Sequence, residues 1–346
     1  MRKLLFTLFV LVYTIAVGQR MRDQKYWVGF YNLENLFDTK NDTLARDDDR
    51  TPQGKYHWTL PRLETKLQNI SKVVTQINLE LKETEWLGLG VCEIENVELL
   101  EALTRKNGIV KNAGIIHFDS PDLRGIDVGF LYNQSLFRPT HFQKQKVPLL
   151  KDRAEIIYTR DLLIVSGIAL ESERIHFIIT HWPSRSGGEK RSEWRRKTAS
   201  YYTRKAIDSI ASREPKAKII VMGDFNDDPV SESILQLISP KASTDSLINF
   251  SNTSYRKGIG SIAHRDKWHL FDQIIGTKSL IEKPGLQALG FGVYTSRYLQ
   301  TSKGRYRGYP FRTYAGLQYK GGYSDHFPVV LELIVKPIET MEFGLK

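Results

Sequence analysis

Apolar residues follow two different spacings along this chain of 346 residues. In some segments they stand side by side, which is typical of strands buried on both faces. In others they recur every three or four positions, which predicts amphipathic helices. We predict strands near 26–31, 87–92, 124–132, 175–180, 219–222, 270–275 and 329–335, and helices near 61–81, 189–213 and 231–238, with another starting at Val97.

Three further segments are interpreted from their composition. Residues 155–159 and 162–170 are expected to form an antiparallel pair of strands, with Arg160 and Asp161 at the turn. Residues 294–323 mix Arg and Lys with Tyr, Phe and several glycines, which predicts a long ordered loop. Loops of this composition suit phosphates and stacked rings, although a solvated surface loop fits the same composition equally well.

Residues 1–18 differ from the rest of the chain. Arg2 and Lys3 precede an apolar run from Leu4 to Val17, and small residues lie at its end. This pattern predicts a secretory signal peptide and a protein exported to the periplasm or the medium. The run is short for a membrane span, with an uncleaved anchor as the alternative. We expect no membrane span after the signal is removed, and residues 19–346 to form a single, monomeric domain.

The net charge indicates the class of partner, and the cysteine content indicates how the fold is stabilised. The formal net charge is +11, and removal of Arg2 and Lys3 with the signal would leave two charges fewer. A basic surface favours a polyanionic partner, such as nucleic acid or another phosphate-rich ligand. Cys92 is the single cysteine, so no intrachain disulfide can form and stability must come from the core.

Polar side chains recur where the predicted strands begin or end. Asp224 and Asn226 follow the run 219–222 at a spacing of two, so an extended backbone points both side chains to one side. This motif alone is also compatible with a simple turn, because Gly, Asp, Asn and Pro are turn residues. The recurrence at several strand ends favours a shared site, made of Asn32, Glu93, His181, Asp224, Asn226, Asp272, Asp325 and His326.

The chemistry of this set indicates a metal ion and phosphate. Hard oxygen ligands such as Glu93 and Asp325, without thiolates and with few histidines, suit Mg²⁺ or Mn²⁺ better than zinc. His181, His326 and a further aspartate remain to transfer protons and to neutralise phosphate charge.

The order of these motifs resembles the endonuclease/exonuclease/phosphatase superfamily, which includes pancreatic DNase I, exonuclease III, inositol polyphosphate 5-phosphatases and neutral sphingomyelinases. Each motif is weak by itself, but the ordered set spans nearly the whole chain after residue 18. The resemblance rests on Asn32 in Tyr-Asn-Leu-Glu-Asn, Glu93 in Val-Cys-Glu, Arg124-Gly-Ile-Asp127, His181 in Thr-His-Trp-Pro, Gly223-Asp224-Phe-Asn226, Asp272 in Phe-Asp-Gln-Ile-Ile, and Ser324-Asp325-His326.

The resemblance implies a DNase I-like fold, a four-layer α/β/β/α sandwich of two mixed β-sheets packed face to face with helices outside. It also implies metal-dependent hydrolysis of phosphodiesters or phosphomonoesters. On this basis Glu93 is expected to be the principal ligand of Mg²⁺ or Mn²⁺, with Asn32 and Asp325 completing or supporting the metal site.

The resemblance further implies roles for the other members of the set. Asp224 is expected to orient or deprotonate the attacking water, and Asn226 to position that water or the phosphate. His326, held by Asp272, is expected to stabilise charge on the phosphoryl group or to transfer a proton. His181 is expected to act similarly from the other side, nearer the leaving group.

The substrate remains open at this point. Arg124, Asp127 and Arg185 are candidate substrate-binding residues, although salt bridges beside the site explain them equally well. The acidic loop after Asp38 and the Trp-Pro-Ser-Arg segment after His181 depart from DNase I and exonuclease III. The basic balance and the 294–323 loop favour an exported nuclease. A phosphatase or phosphodiesterase for small or lipid phosphates is the alternative, and a catalytically silent binding protein a third.

Overall fold

The structure is a computed structural model in which the signal peptide predicted at 1–18 lies outside the described residues. Within the described part of the chain, no helix is both long enough and apolar enough to cross a membrane. The described residues are 24–106, 108, 110–151, 155–240 and 247–336.

The helices and strands follow one another in mixed order. The helices are α1 (Leu60–Glu80), α2 (Val97–Thr104), α3 (Glu189–Ala211), α4 (Glu232–Ile238), α5 (Asn252–Arg256) and α6 (Ser279–Glu282). The strands are β1 (Lys25–Leu36), β2 (Thr84–Ile94), β3 (Gly114–His117), β4 (Asp127–Tyr132), β5 (Phe137–Gln145), β6 (Leu149–Lys151), β7 (Glu155–Ile157), β8 (Leu162–Ala169), β9 (Glu173–His181), β10 (Ile219–Asp224), β11 (Ile248–Asn249), β12 (Ile262–His264), β13 (Lys267–His269), β14 (Asp272–Gly276), β15 (Gly285–Val293), β16 (Tyr314–Ala315), β17 (Gln318–Tyr319) and β18 (Val329–Lys336).

Most of the strands belong to two six-stranded sheets. The first has the order β15-β18-β1-β2-β4-β3 and the second the order β11-β14-β10-β9-β8-β5. Each sheet is mixed, because β1 and β2 run parallel, as do β9 and β10, while their outer neighbours are antiparallel. The prediction of two mixed sheets is confirmed.

Three hydrophobic layers hold the sheets and helices together. Phe30 and Phe130 of the first sheet pack between the sheets with Phe177 of the second. The apolar stripe of α1 covers the outer face of the first sheet, and that of α3 covers the outer face of the second. Alternate residues of a strand face opposite sides, so one strand serves an inner and an outer layer. The result is the four-layer α/β/β/α sandwich.

One predicted pairing of strands is wrong. The segments 155–159 and 162–170 do not pair with each other, because β7 pairs with β6 while β8 lies between β5 and β9. The sequence of β5 does not indicate that it is a strand. Phe137–Gln145 is an edge strand with mostly exposed or half-exposed side chains and a proline. Its polar composition therefore lacks the alternation that indicates a strand.

Candidate active site

The two sheets bring the predicted site residues together at one end of the sandwich. Asn32 lies opposite Cys92 where the parallel strands β1 and β2 end, and Asp224 lies opposite His181 where β10 and β9 end. Asp272 begins the antiparallel strand β14 directly opposite Asp224. Carboxyl ends of parallel strands share an edge with the amino ends of their antiparallel neighbours, so segments distant in sequence converge here.

The backbone at this end is bent by residues with left-handed conformation. Glu93 has a φ of 60° and Asn226 a φ of 50°, and Glu34 and Asn35 each have a φ of 52°. For residues other than glycine this conformation is unfavourable by about 1–2 kcal/mol each. Such strain is typical of functional sites that the surrounding structure holds in place.

Asn32 joins the carboxylates of the two sheets. Its Nδ2 donates to Glu93 Oε1 at 3.3 Å and to Asp224 Oδ2 at 3.1 Å. Its Oδ1 accepts from the backbone N–H of Glu34 at 2.9 Å, and the backbone N–H of Asn35 donates to Glu93 Oε2 at 2.9 Å. One amide group thus contacts the buried Asp224 and the largely buried Glu93, although it carries no charge to neutralise them.

His181 faces the same two carboxylates from the second sheet. Its Nε2 lies 3.6 Å from Asp224 Oδ2 and 4.0 Å from Glu93 Oε1. Burial lowers the pKa of His181 well below its ordinary value, and the positive charge of Arg160 lowers it further. His181 is therefore neutral at physiological pH, and its Nδ1 is buried without a hydrogen-bond partner among the described residues.

The pKa of His326 is shifted in the opposite direction from that of His181. Burial lowers its pKa, but the hydrogen bond and charge of Asp272 outweigh burial, so the pKa lies well above the ordinary value. Nδ1 of His326 lies 2.6 Å from Asp272 Oδ2, and its Nε2 lies 4.0 Å from Asp224 Oδ2. The predicted pairing of His326 with Asp272 is thus present in the structure, and it favours an imidazolium beside Asp224.

Asp224 stands between the neutral and the charged histidine. Its pKa is raised to about 7, chiefly by burial and further by the charges of Asp272 and Glu93, although the charge of His326 lowers it. The backbone N–H of Asn226 donates to Asp224 Oδ1 at 2.9 Å and so fixes the carboxylate. A carboxylate of this pKa can accept a proton near neutral pH, as a general base must.

The donor atoms around Asn32 fit a divalent cation. Glu93 and Asp224 each offer a carboxylate oxygen beside the Nδ2 of Asn32, and carboxylate oxygens are the ligands that Mg²⁺ and Mn²⁺ prefer. Cys92 Sγ lies within 4.8 Å of ligand atoms of His181 and Asp224. Burial raises the pKa of the Cys92 thiol well above its ordinary value, so it stays protonated and is a poor metal ligand. These residues could hold a divalent metal through oxygen.

Asp325, the other predicted metal ligand, is engaged by an arginine. Arg312 Nη2 donates to Asp325 Oδ2 at 2.5 Å, and Arg312 Nε lies 3.5 Å from Glu34 Oε1. Glu34 also contacts the buried Lys66, with 3.6 Å between Nζ and Oε2. The sequence analysis missed Glu34, Lys66 and Arg312. A signal for Lys66 exists, because it lies on the apolar stripe of α1 rather than on its polar face.

The three predicted substrate-binding residues lie around this group in different ways. Arg185 Nε donates to the backbone oxygen of Asn226 at 3.0 Å and to Asp227 Oδ1 at 3.1 Å, which places it beside the candidate site. Arg124 is half exposed and lies 3.6 Å from the carboxylate of Asp122. Asp127 is buried, and its contacts are with Ser120 and His117 rather than with Asp224 or its neighbours in the site.

A second arginine beside the site was missed. Arg160 Nη1 donates to Asp122 Oδ2 at 2.9 Å, and its Nη2 donates to the backbone oxygen of Trp182 at 2.7 Å. The same oxygen accepts from Asn226 Nδ2 at 3.0 Å. Arg160 was placed in a turn between two strands by the incorrect pairing of β7 with β8, which concealed its position near the end of β9.

A four-layer sandwich with carboxylates and histidines at the ends of its central strands defines a class of phosphoesterases. The sequence model of the Endonuclease/Exonuclease/phosphatase family matches residues 27–335, and the chain belongs to this family. No curated protein matches the chain in sequence.

Solved structures share the fold at low sequence identity. An endonuclease/exonuclease/phosphatase family protein of Bacteroides thetaiotaomicron is 16% identical with a TM-score of 0.56, over 90% of this chain and 96% of its own. A mannosyl-6-phosphatase from B. thetaiotaomicron VPI-5482 is 16% identical with a TM-score of 0.53, over 89% and 99%. The human Nocturnin catalytic domain with bound sulfate is 14% identical with a TM-score of 0.52, over 90% and 94%. These likenesses establish the fold, and the family membership establishes a hydrolase of phosphoester bonds.

Proposed function

We propose that this protein is an exported phosphodiesterase that depends on Mg²⁺ or Mn²⁺ and cleaves nucleic acid. The observation that carries the chemistry is the position of Asp224, with neutral His181 3.6 Å from its Oδ2 and charged His326 4.0 Å from it. This arrangement places a base, an uncharged imidazole and an imidazolium around one small volume.

The chain's own residues have distinct parts in the proposed reaction. Asp224 orients a water molecule for attack at phosphorus and accepts its proton. His326, kept protonated by Asp272, neutralises charge that grows on the phosphoryl oxygens. His181 lies on the other side of Asp224, where it can contact the leaving oxygen. A divalent cation held by Glu93 would polarise the phosphoryl group.

The basic charge of the chain supports a polyanionic substrate. The formal net charge of +11, with two charges fewer after loss of residues 1–18, favours binding of a polyanion such as nucleic acid. Exposed arginines and lysines of the 294–323 loop, among them Lys303 and Arg307, add to this field. The loop also contains a turn of 3₁₀-helix at Arg297–Leu299 and the hairpin formed by β16 and β17.

The test is hydrolysis of plasmid DNA and RNA at a series of salt concentrations. Binding of a polyanion releases counterions, so the KM for nucleic acid should rise steeply between 50 and 200 mM salt, by about tenfold or more. Each reaction is run with Mg²⁺, with Mn²⁺ and with EDTA. Turnover that is unaffected by EDTA would contradict the metal, and absence of turnover on both polymers would contradict the nuclease.

A second candidate function is a phosphatase for small phosphate esters. The observation in its favour is the fold shared with the mannosyl-6-phosphatase from B. thetaiotaomicron. Sugar phosphates, inositol phosphates and sphingomyelin therefore belong in the same substrate panel. A small ester engages few charges of the protein, so its KM should change much less with salt. Turnover of small esters alone would favour this second function.

The export of the protein remains part of the proposal. It rests on the basic residues and the apolar run of residues 1–18. Expression of the full chain followed by cell fractionation and N-terminal sequencing tests it. We expect mature protein beginning near residue 19 outside the cytoplasm. An uncleaved chain in the cytoplasmic fraction would exclude export.

A further inference from the structure

Three aromatic side chains form a contiguous group beside the candidate site, which we name the aromatic platform. Its members are Trp268, Tyr306 and Tyr309. The ring centroids of Trp268 and Tyr309 lie 5.7 Å apart, and those of Tyr309 and Tyr306 lie 5.5 Å apart. Trp268 is 36% exposed and Tyr306 is 53% exposed, so the platform presents flat apolar surface to the solvent.

The aromatic platform is packed directly against the chain segment that carries His326. Trp268 stacks on Phe327, the residue after His326, with the ring centroids 6.0 Å apart and the ring planes 14° from parallel. The backbone N–H of Phe327 donates to the backbone oxygen of Ser261, next to β12, at 2.7 Å. Phe327 is almost fully buried, so the exposed surface of Trp268 is the part of the indole that does not cover Phe327. A ligand on this surface lies at the rim of the candidate site.

Polar contacts connect the two parts of the platform. Trp268 belongs to the hairpin of β12 and β13, whereas Tyr306 and Tyr309 belong to the 294–323 loop. The Tyr309 hydroxyl donates to Asp266 Oδ1, at the tip of the hairpin, at 2.7 Å. The two parts are therefore already in place before a ligand arrives, and binding to a preorganised surface loses less entropy.

Basic side chains surround the aromatic platform. The stretches 262–269 and 303–309 contain two and three residues of Arg or Lys, and their single acid, Asp266, already contacts Tyr309 and Arg305. The exposed basic side chains are Arg265, Lys267, Lys303, Arg305 and Arg307. Exposed aromatic rings within a positively charged surface are the combination with which proteins bind single-stranded nucleic acid, because bases stack on the rings and phosphates meet the charges.

We propose that the aromatic platform binds an unpaired nucleobase and thereby makes the protein selective for single-stranded nucleic acid. This inference rests on the proposed nuclease function and specifies its substrate class. In a duplex both faces of a base are covered by neighbouring bases, so a base can stack on Trp268 only where the strand is unpaired. The basic side chains around the platform then neutralise the phosphates on either side of the stacked base.

The test uses a single-stranded oligonucleotide and a blunt duplex of the same sequence as substrates of the full chain. Trp268→Leu keeps an apolar side chain but removes the ring. We expect its KM for the single strand to rise by about 5- to 150-fold, the range for the loss of one base–aromatic stack. The KM for the duplex should rise much less. Trp268→Phe retains a flat ring and should recover most of the loss.

Tyr201 provides the matched control. It is 56% exposed and lies on α3, which covers the outer face of the second sheet. Tyr201→Leu therefore removes an exposed ring that does not belong to the aromatic platform. This variant should keep the parent KM for the single strand.

A fluorescence titration measures the same contact without turnover. A thymine base that stacks on an exposed indole quenches its fluorescence. In EDTA, oligodeoxythymidylate should quench the fluorescence of the parent protein and should not quench that of Trp268→Leu. The signal reports on Trp268 because four of the other tryptophans are buried, namely Trp27, Trp58, Trp86 and Trp182.

The outcomes separate this inference from the proposed function. A folded Trp268→Leu variant with the parent KM for the single strand, or with the parent quenching, would overturn the inference and leave the nuclease intact. A larger effect of this variant on sugar phosphates would assign the platform to a sugar ring and overturn it as well. If the variant does not fold by circular dichroism, absence of quenching in the parent overturns the inference. Quenching without turnover of either polymer would overturn the nuclease and leave the platform as a binding site.

Discussion

Two pairs of carboxylates at one end of the sandwich differ in their counter-charges: Glu93 with Asp224, which share the amide of Asn32, and Glu34 with Asp325, which we name the closed pair. Glu34 and Asp325 are neutralised by Lys66 and Arg312, which the chain carries permanently. Glu93 and Asp224 share the amide of Asn32 and meet the neutral imidazole of His181. The imidazolium of His326 lies 4.0 Å from Asp224, but it is bonded to Asp272. The comparison shows how one end of a fold can combine a structural charge network with a reactive one.

The different counter-charges of the two pairs also indicate at which residues a substitution should change stability and at which it should change activity. A carboxylate in a complete ion network contributes to folding, and removal of its partner leaves a buried charge without compensation. A carboxylate that is left without a fixed partner raises its pKa and becomes available to accept a proton. The following substitutions separate these two consequences, beginning with the largest expected effect.

Replacement of Asp224 should have the largest effect, and on turnover rather than on stability. Asp224→Asn removes the proposed general base, and we expect kcat to fall by about 10³-fold, within the range typical of general-base removal. The measurement is steady-state hydrolysis of the best substrate at saturating Mg²⁺. Asp49→Asn, at an exposed position, should retain the parent rate. A kcat within threefold of the parent for Asp224→Asn would exclude this role.

Replacement of Lys66 should act on stability instead. Lys66→Met removes the buried partner of Glu34, which then keeps only the half-exposed Arg312. Loss of one member of a buried ion pair costs about 3–5 kcal/mol of unfolding free energy. Urea denaturation followed by intrinsic fluorescence measures the change. The exposed Lys72 lies on the same helix α1, so Lys72→Met is the control and should change stability by less than about 1 kcal/mol. Equal effects of the two substitutions would contradict the importance of the closed pair.

Replacement of Asp272 should shift the pH dependence of activity. The pKa of His326 is raised chiefly by Asp272, so the imidazolium persists until the pH rises through that raised value. Asp272→Asn removes the charge, and the alkaline limb of kcat/KM should move to lower pH by about 1–3 units, the range for one close opposite charge. An unchanged alkaline limb would show that a group other than His326 controls it.

An exposed ion pair provides the smallest expected effect. Arg305 Nη2 lies 3.5 Å from Asp266 Oδ2, and the two side chains are 74% and 63% exposed. Exposed pairs contribute about 0–1 kcal/mol, because water and salt screen them. Arg305→Ala should therefore leave the unfolding midpoint in urea nearly unchanged. A loss comparable to that of Lys66→Met would mean that burial does not distinguish the two kinds of pair.

The sequence predicts the fold and singles out the candidate site residues for a physical reason. Central strands are continuous apolar runs, so a polar residue such as Asp224 or His181 at their end stands out against its neighbours. The prediction that residues distant in sequence lie together comes from the order of the family's motifs, because the periodicity of apolar residues does not show which strands are adjacent. The structure then places the Asn32 amide between Glu93 and Asp224, and His326 on Asp272.

The remaining features depend on contacts that one sequence does not display. β5 is an edge strand with a polar pattern, so its pairing with β8 could not be recognised. Arg312 lies in a loop with several other basic residues, and nothing in its neighbours indicates that it contacts Glu34 and Asp325. Lys66 was the exception, since a lysine on the apolar stripe of a helix indicates a buried partner.

The residues with left-handed backbone conformation at the ends of β1, β2 and β10 limit which substitutions can stabilise this protein without loss of function. Glycine would relieve the backbone at Glu93 or Asn226, since it adopts a positive φ without strain, but it would delete the group on which the chemistry depends. Asn35 offers Glu93 its main-chain N–H, which glycine also possesses. An engineer in search of a more robust enzyme would thus begin at residue 35 and leave the other turns as they are.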